Sequence, residues 1–294
     1  MRSPFLSSFV DVLAVARVAP LRVVKERASA RLLALDLDGT LLRRDGSISA
    51  NTERALRAAR ARGLTLLFVT ARPPRRARLI SKASELSGVV ICGNGSILYD
   101  LKSNTVLHEE RLCAQHASLL VESLRRAVPD AAFAVEVGLG YGCDLNYAIL
   151  PEHADDRIDP LMRRADAVEL CREGVTKLIV QQPDWPMLEL LQMTRVFASS
   201  RATVTHSGSH FVEVMAPGVS KASALRKYCS SRGILAAEVV AFGDMPNDLP
   251  MLRWAGCGVA VANAHSEVLA AADLVTRSND ADGVAFALER LGYA

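Results

Sequence analysis

The chain has 294 residues, of which 50% are hydrophobic and 23% are charged, and this composition excludes a disordered tail or linker protein. The length fits one large α/β unit or a core domain with an insertion. Residues 1–31 hold six basic and two acidic side chains, a local charge of +4, so with a net charge of +3 the remainder of the chain is nearly neutral at −1. That remainder offers no electrostatic basis for binding nucleic acid.

The apolar runs and the cysteines of the sequence indicate the cellular compartment. No run of about 18 uninterrupted apolar residues is present, so we expect no integral membrane segment. The six cysteines are scattered and include no C-x-x-C pair, which is neither a zinc spacing nor a disulfide framework. Such cysteine usage fits a reducing cytosol and predicts a cytoplasmic protein.

The first thirty residues differ from the rest. Phe5, Phe9, Val12 and Ala16 recur at helical spacing, so an amphipathic helix at a membrane surface or partner is one possibility. The favoured prediction is that residues 1–30 form a dispensable, poorly ordered N-terminal extension.

From residue 31 onward, short apolar runs alternate with helical patterns. The predicted elements are a strand at Leu32–Leu35, a helix at Asn51–Arg62, a strand at Leu64–Val69, a helix at Arg75–Leu86 and a strand at Val89–Cys92. Strands that alternate with helices indicate βαβ units and a parallel sheet. We therefore predict an α/β fold with a Rossmann-like parallel-sheet core.

The pattern changes near residue 95 and returns near residue 207. The elements expected between these points are a hairpin at residues 97–108, a helix at Cys113–Val128, strands at Phe133–Val137 and Thr176–Val180, and a helix at Trp185–Ala198. Afterwards we expect a strand ending at Met215, a helix from Val219, a strand at Val239–Phe242, a helix at Asn247–Trp254, strands at Val259–Val261 and Leu274–Thr276, and a helix at Val284–Leu291. The sequence thus predicts core residues 31–95 and 207–294 and an inserted α+β domain at residues 96–206.

Two carboxylates follow the first predicted strand, in Asp36-Leu37-Asp38-Gly39-Thr40. Side chains at positions i and i+2 leave a strand on one face, so both carboxylates can meet beside one metal ion. Gly39 permits a sharp turn, and the carboxyl end of a parallel strand is where open α/β sheets bind ligands. By itself the segment is equally typical of a turn after a strand.

Three further sequence segments favour the interpretation of this segment as part of an active site. The second strand runs into Thr70, which brings a hydroxyl to the same sheet edge. Lys221 lies near a helix N-terminus, where the dipole does not stabilise positive charge and a bound anion would explain its placement. The run Gly243-Asp244-Met245-Pro246-Asn247-Asp248 adds two carboxylates and an amide. Acids for a metal ion and donors for an oxyanion are what phosphoryl transfer requires.

In this order along the chain, the four segments at Asp36–Thr40, Thr70, Lys221 and Gly243–Asp248 resemble the four motifs of the haloacid dehalogenase superfamily. A long insertion separates the segments at Thr70 and Lys221, and Cys92-Gly93-Asn94-Gly95 precedes it. This arrangement resembles the Cof-type branch with its type-IIB cap domain. The C-terminal run Gly258-Val259-Ala260-Val261-Ala262-Asn263-Ala264 is also similar to that branch. The resemblance covers about residues 31–294 and identifies the inserted domain as the cap.

The resemblance implies a Mg²⁺-dependent phosphatase that works through an aspartyl-phosphate. In this implied arrangement Asp36 is the nucleophile, and Asp38 is the acid that protonates the leaving oxygen and the base that activates water. The phosphate-binding residues would be Thr70, Lys221 and Asn247. The metal residues would be Asp36, Asp38 through its backbone carbonyl, Asp244, and Asp248 as a support behind the direct ligands.

We therefore predict hydrolysis of a small phosphomonoester, such as a sugar phosphate or a phosphorylated cofactor. One alternative is a phosphotransferase or mutase on the same core. Another is a catalytically silent binding protein, although such a protein has no need to keep four carboxylates close together. The sequence carries no indication of the oligomeric state.

Three other side chains have more than one interpretation. Arg72 fits either a phosphate contact or a solvated helix start. His206 lies where the cap would rejoin the core and can contact substrate, whereas a zinc pair with His210 is disfavoured because a turn separates them. Cys92 is expected to pack rather than to react.

Overall fold

A computed structural model describes residues 29–84, 87–150, 161–208 and 211–294. Its strands in chain order are β1 (Leu32–Asp36), β2 (Thr65–Val69), β3 (Val89–Cys92), β4 (Ile97–Asp100), β5 (Thr105–Glu109), β6 (Ala132–Val137), β7 (Gly140–Cys143), β8 (Met162–Arg164), β9 (Lys177–Gln181), β10 (Thr203–Thr205), β11 (Val212–Met215), β12 (Val239–Gly243), β13 (Cys257–Ala260) and β14 (Leu274–Val275). Its helices are α1 (Ala50–Ala61), α2 (Pro74–Ser84), α3 (Ala114–Ala127), α4 (Ala167–Leu170), α5 (Met187–Ala198), α6 (Lys221–Ser230), α7 (Leu249–Trp254), α8 (Ser266–Ala271) and α9 (Gly283–Arg290).

The core of the molecule is an eight-stranded sheet in the order β14-β13-β12-β1-β2-β3-β4-β5. The strands from β14 to β3 run parallel, and β4 and β5 extend the sheet antiparallel at one edge. Leu33 and Leu35 pack with α1, α2 and α9 on one face, while Leu32 and Ala34 pack with α6, α7 and α8 on the other. Because helices cover both faces, these strands are almost entirely apolar. The predicted α/β core with a parallel sheet is confirmed.

A second, six-stranded sheet has the order β10-β11-β9-β6-β7-β8, and we call it the cap sheet. Helices α3, α4 and α5 pack on one of its faces, where Phe133 and Val135 contribute to their shared core. Side chains on a strand alternate between faces, so Ala132 and Ala134 lie on the opposite face in a separate apolar cluster. That opposite face matters for function, because part of it lines the cavity described below.

Two segments belong to a different sheet from the one that the predicted boundaries at 96 and 206 suggest. The hairpin of β4 and β5 lies after residue 96, yet β4 pairs with β3 in the core sheet. Strand β11 lies after residue 206, yet it pairs with β9 and β10 in the cap sheet. Apolar alternation marks a strand but does not specify which sheet edge it joins, so the sequence pattern misplaced both segments.

The predicted N-terminal extension, residues 1–30, lies mainly outside the described residues. At its end Ala30 is buried against the core, and the Arg31 N–H donates to the Glu238 carbonyl. The ordered core therefore includes the last residue of the predicted extension. Within the described ranges, no helix combines the length and the apolar character needed to cross a membrane.

Candidate active site

Four of the predicted polar residues meet at the carboxyl edge of the core sheet. Asp36 ends β1, and Asp244 directly follows the neighbouring strand β12. Asp248 lies in a 3₁₀ turn after β12, and Lys221 is the first residue of α6. Each of the three aspartates places a carboxylate oxygen within 4.8 Å of the others, and all three are buried.

Lys221 lies inside this acidic cluster. Its Nζ donates to Asp36 Oδ1 at 2.6 Å and to Asp248 Oδ1 at 2.7 Å. Burial alone would lower the pKa of Lys221, but the two neighbouring carboxylates raise it above its usual value, so the ammonium stays charged. The Ser220 side chain caps the first turn of α6 and fixes the helix start.

The cluster retains an excess of negative charge. Burial raises the pKa of Asp36 well above its usual range, and the nearby carboxylates of Asp248 and Asp244 add to this effect against the pull of Lys221. Burial and Asp248 also raise the pKa of Asp244, to about 6. Three buried carboxylates face one ammonium, and hard oxygen donors of this kind suit a divalent cation. The donor set therefore fits a metal ion.

Two glycines allow the carboxylates to approach so closely. Gly39 has φ +74°, and a Cβ at this position would lie 2.4 Å from Asp244 Oδ2. A Cβ on Gly243 would lie 2.6 Å from the Asp248 Cβ. Thr40, which follows Gly39, donates its hydroxyl to Asp244 Oδ1 at 2.9 Å. Thr40 orients Asp244, a role that the sequence analysis did not assign.

Asp38 lies beside the cluster rather than in it. Its side chain is 48% exposed and forms a bidentate ion pair with Arg72, in which Nε donates to Oδ2 at 2.7 Å. The contact of the Asp38 backbone carbonyl with a metal ion stays a prediction. For Arg72, the structure favours neither of the predicted roles directly and instead places the guanidinium on Asp38.

The remaining two predicted phosphate ligands are placed differently. Asn247 lines the same cavity as Asp36, and its Nδ2 donates to Asn94 Oδ1 at 2.9 Å. Thr70 is fully buried, and its hydroxyl oxygen accepts a hydrogen bond from the backbone N–H of Arg72 at 3.0 Å. Among the described residues, Thr70 does not line the cavity, so its contact with a phosphate stays a prediction.

A cavity of about 250 Å³ opens between this sheet edge and the cap sheet. Its floor is formed by core residues that include Asp36, Asp38 and Lys221. Its opposite wall comes from the cap face that lies away from α3 and α5. The wall residues are Glu136, Tyr141, Tyr147, Lys177, Ile179, Phe211 and Glu213.

The sequence analysis missed the charged residues of the wall. Glu136, Lys177 and Glu213 lie on β6, β9 and β11, which are adjacent strands, and Glu136 pairs directly with Lys177 in the register. Each alternates with apolar residues that pack under the helices. A charged residue at the inward position of a predicted strand was the available signal.

The other residues with open interpretations have simple outcomes. Cys92 is fully buried, and burial raises the pKa of its thiol, so it packs as expected. The His206 ring contacts the Gly208 carbonyl at 2.9 Å. His206 does not itself line the cavity within the described residues, although Ser207 and Gly208 do. His210 lies outside the described residues.

Known proteins resemble the chain over nearly its whole length. The phosphatase YcsE of Bacillus subtilis (strain 168), which acts on 5-amino-6-(5-phospho-D-ribitylamino)uracil, is 30% identical over 266 residues, which are 90% of this chain and 97% of YcsE. Pyridoxal phosphate phosphatase YbhA of Escherichia coli (strain K12) is 30% identical over 262 residues, which are 87% of this chain and 96% of YbhA. The solved structure of BT1666, a haloalkanoate-superfamily phosphatase from Bacteroides thetaiotaomicron, has a TM-score of 0.75 and 26% identity, and covers 90% of this chain and 96% of BT1666.

The family comparison agrees with these relatives. Residues 33–288 match the family described as haloacid dehalogenase-like hydrolase. This range contains the cap sheet, all but the first residue of the core sheet, and all of the acidic cluster. The chain therefore belongs to the haloacid dehalogenase-like hydrolases, in their Cof-type branch, and is a phosphoric monoester hydrolase.

Proposed function

We propose that the chain is a cytoplasmic, Mg²⁺-dependent phosphatase that hydrolyses a small phosphomonoester through an aspartyl-phosphate on Asp36. The observation that carries the proposal is the placement of Asp36. Its carboxylate is buried, contacts Lys221, lies within a carboxylate cluster and opens on the cavity. The six free cysteines support the cytoplasmic assignment.

The metal would be held by oxygen atoms at the sheet edge. Asp36 and Asp244 would contribute carboxylate oxygens, and Asp38 its backbone carbonyl. Asp248 uses Oδ1 for Lys221 and Oδ2 for the backbone N–H groups of Asp244 and Met245, so it supports the site by orienting its neighbours. When bound, Mg²⁺ would supply positive charge that polarises the phosphoryl group and lessens its repulsion of a carboxylate nucleophile.

In the first step the Asp36 oxygen attacks phosphorus, and the bond from phosphorus to the leaving oxygen breaks. A carboxylate attacks an anionic phosphate poorly unless nearby cations offset the repulsion. Lys221 supplies one such cation at hydrogen-bond distance from Asp36. We assign Lys221, Thr70 and Asn247 to the phosphoryl oxygens.

Asp38 is suited to move the proton in both steps. It lines the cavity and its side chain is half exposed, so it can reach a leaving group or a water molecule. As an acid it protonates the departing alcohol, and as a base it takes a proton from the water that attacks the phosphoenzyme. The ion pair with Arg72 would hold the carboxyl in place between these two steps.

The size of the substrate follows from the cavity and from the relatives. A volume of about 250 Å³ lies just below the ~300–1,000 Å³ typical of small-molecule pockets. Both relatives named above are phosphatases of small phosphorylated molecules. A sugar phosphate or a phosphorylated cofactor is therefore the class that we propose for this chain.

The experiment uses Asp38→Asn with two substrates. An alkyl phosphate leaves as a basic alkoxide and needs an acid, whereas 4-nitrophenyl phosphate leaves as a stabilised phenolate. We expect the variant to lose roughly 10²–10⁴-fold in the first step with a sugar phosphate and much less with the aryl ester. Hydrolysis of the phosphoenzyme should be slow with both, because its base is missing.

Rapid quenching should therefore show a burst of nitrophenolate close to one equivalent per site. Mass spectrometry should place the added phosphoryl group on Asp36. If the first step fell equally for both substrates, with no burst and no adduct, the roles of Asp36 and Asp38 would be wrong.

A further inference from the structure

The wall of the cavity contains a buried ionic network in which one carboxylate oxygen has no hydrogen-bond partner among the described residues. Lys177 is 3% exposed, and its Nζ lies 3.0 Å from Glu213 Oε1 and 3.3 Å from Glu136 Oε2. The same Nζ donates to the Ala71 carbonyl of the core at 2.9 Å. Although burial acts to lower the pKa of Lys177, the two glutamates raise it, so the ammonium remains charged.

The hydrogen-bonding capacity of this network can be counted. An ammonium has three N–H groups; Lys177 donates two hydrogen bonds, to Glu213 Oε1 and the Ala71 carbonyl, and forms an ion pair with Glu136 Oε2. Glu136 has both oxygens paired, since Oε1 also lies 3.4 Å from an Arg75 nitrogen. Glu213 differs: its Oε2 is buried and has no hydrogen-bond partner among the described residues. One acceptor of a buried, cavity-lining carboxylate is therefore left over.

A buried carboxylate oxygen without a donor is costly, roughly 1–3 kcal/mol or more for a charged group, and Glu213 is only 1% exposed. The position of Glu213 shows where a hydrogen-bond donor for this oxygen can come from. Glu213 lines the same cavity as Asp36 and Asp38, but it comes from the cap sheet rather than from the core. A molecule whose phosphate contacts the core would present its leaving group to this wall.

We propose that Glu213 selects the substrate by accepting a hydrogen bond from the leaving group. The substrate would be a phosphomonoester that carries an N–H, ammonium or O–H donor at the end facing the cap and no anionic group there. Tyr147, Ile179 and Phe211, which line the same wall, favour an apolar or ring-shaped body between the donor and the phosphate. This inference rests on the proposed phosphatase reaction at Asp36.

A charge at the distal end of the substrate should matter strongly. An anionic group placed directly beside Glu213 would meet its carboxylate, and Lys177 is already engaged with the Ala71 carbonyl and the two glutamates. The cations of Arg75 and Arg76 also line the cavity, so the repulsion concerns only the position beside Glu213. A donor would complete the hydrogen bonds of a charged acceptor, an interaction stronger than one between neutral groups. Glu213 of the cap thus favours substrates that present a donor and disfavours substrates that present an anionic group beside it.

The test compares three esters of equal size: 4-(aminomethyl)benzyl, 4-methylbenzyl and 4-carboxybenzyl phosphate. The methylene next to the phosphate insulates the leaving oxygen from the substituent, so reactivity stays similar. For the wild-type protein with Mg²⁺, we expect kcat/KM for the aminomethyl ester to exceed that for the methyl ester by about tenfold or more. The carboxy ester should be the poorest of the three.

The decisive variant is Glu213→Gln. Lys177 still requires an acceptor, so the amide oxygen should face Lys177 and the amide NH₂ should replace Oε2. The acceptor becomes a donor, and the preference should invert in favour of the carboxy ester. The matched control is Glu136→Gln, whose oxygens are both paired within the protein, and it should keep the wild-type order of the three esters.

The outcomes separate this inference from the proposed function. Absence of turnover with all three esters in the wild-type protein would contradict the phosphatase proposal. Turnover of the three esters at equal rates by the wild-type protein would overturn the role of Glu213, and this comparison does not depend on whether any variant folds. A uniform loss across the esters in Glu213→Gln, or the same inversion in Glu136→Gln, would overturn it as well.

Discussion

Two buried lysines line the same cavity, one from the core and one from the cap, and their surroundings differ in charge balance. Lys221 contacts two members of a cluster of three carboxylates. Lys177 contacts two glutamates, and Arg75 adds a second cation on Glu136. The core cluster thus has two negative charges in excess, whereas the cap network is neutral.

The difference teaches what each region is built to accept. Buried carboxylates in excess must either take up protons or gain a cation, so the core cluster suits a metal ion. A neutral network does not require protons or a cation, and in the described part of the cap network Glu213 has one buried oxygen without a hydrogen-bond donor. The core would therefore respond to Mg²⁺ and pH, while the cap would respond to the polar groups of the substrate.

The largest expected effect tests whether the core cluster carries the chemistry. Asp36→Asn is nearly isosteric but removes the anion that we propose as the nucleophile, and we expect kcat/KM for 4-nitrophenyl phosphate with Mg²⁺ to fall by about 10⁴-fold or more. Circular dichroism should show an unchanged fold. The exposed Asp45 provides a matched control, and Asp45→Asn should change the rate by less than about twofold. A loss of only about tenfold for Asp36→Asn, near 1.4 kcal/mol, would remove Asp36 as the nucleophile.

A pair of lysine variants sharpens the comparison directly. Lys221→Met and Lys177→Met each leave two buried carboxylates without their ammonium, which should cost about 3–5 kcal/mol of the free energy of unfolding. Saturating Mg²⁺ should restore part of the loss in Lys221→Met, because the cation would neutralise the same carboxylates. It should stabilise Lys177→Met by no more than it stabilises the wild type.

Urea unfolding of the wild type and of both variants, each with EDTA and with Mg²⁺, measures these six free energies. Equal gains from Mg²⁺ in the two variants would mean that the core cluster is not the metal site. The comparison would then reduce to two ordinary buried ion networks.

The pH dependence of stability distinguishes excess charge from balanced charge. Without metal, the raised pKa of Asp36 and that of Asp244, about 6, mean that the folded protein keeps protons that the unfolded chain has already released above about pH 4. The free energy of unfolding should therefore fall as pH rises from about 4 to 7, by about 1–3 kcal/mol. Asp244→Asn should flatten this slope.

Urea unfolding at pH 5 and pH 7 in EDTA provides the measurement. Mg²⁺ competes with these protons, so it should remove the decline by stabilising the protein more at pH 7 than at pH 5. Metal-free stability that rises steadily over this interval would show that the clustered carboxylates do not hold their protons.

The smallest effect concerns the hydroxyl that orients Asp244. Thr40→Val removes the hydrogen bond to Asp244 Oδ1, and loss of such a support typically weakens metal affinity by about 10–100-fold. We expect the lower end, with kcat nearly restored at saturating Mg²⁺. Thr194→Val removes a buried hydroxyl bonded to the Leu190 carbonyl in the cap and should leave the Mg²⁺ requirement unchanged.

The core was predictable because its signals are local. Each buried strand is an apolar run. Asp36 ends one such strand, Asp244 directly follows another, and Lys221 is the first residue of a helix. Strand β7, with the sequence Gly-Tyr-Gly-Cys, and strand β8, with Met-Arg-Arg, lacked any such signal. Their strand conformation depends on pairing within the cap sheet rather than on intrinsic preference.

The wall of the cavity was missed for a different reason. Glu136, Lys177 and Glu213 are far apart in sequence and meet only because β6, β9 and β11 are neighbours in one register. The sequence assigned the last of these strands to the core. Once that strand was misplaced, no local pattern could bring the three charges to one surface.

Gly39 shows how a position without a side chain can constrain the evolution of an enzyme. Its left-handed backbone and the Asp244 oxygen 2.4 Å from any added Cβ close the position to the other amino acids. In a complete mutational scan, Gly39 should score like the carboxylates around it, although it donates, accepts and coordinates through no side chain. A list of functional residues chosen by side-chain chemistry alone would omit Gly39, whereas a list chosen by the loss of activity in the mutational scan would include it.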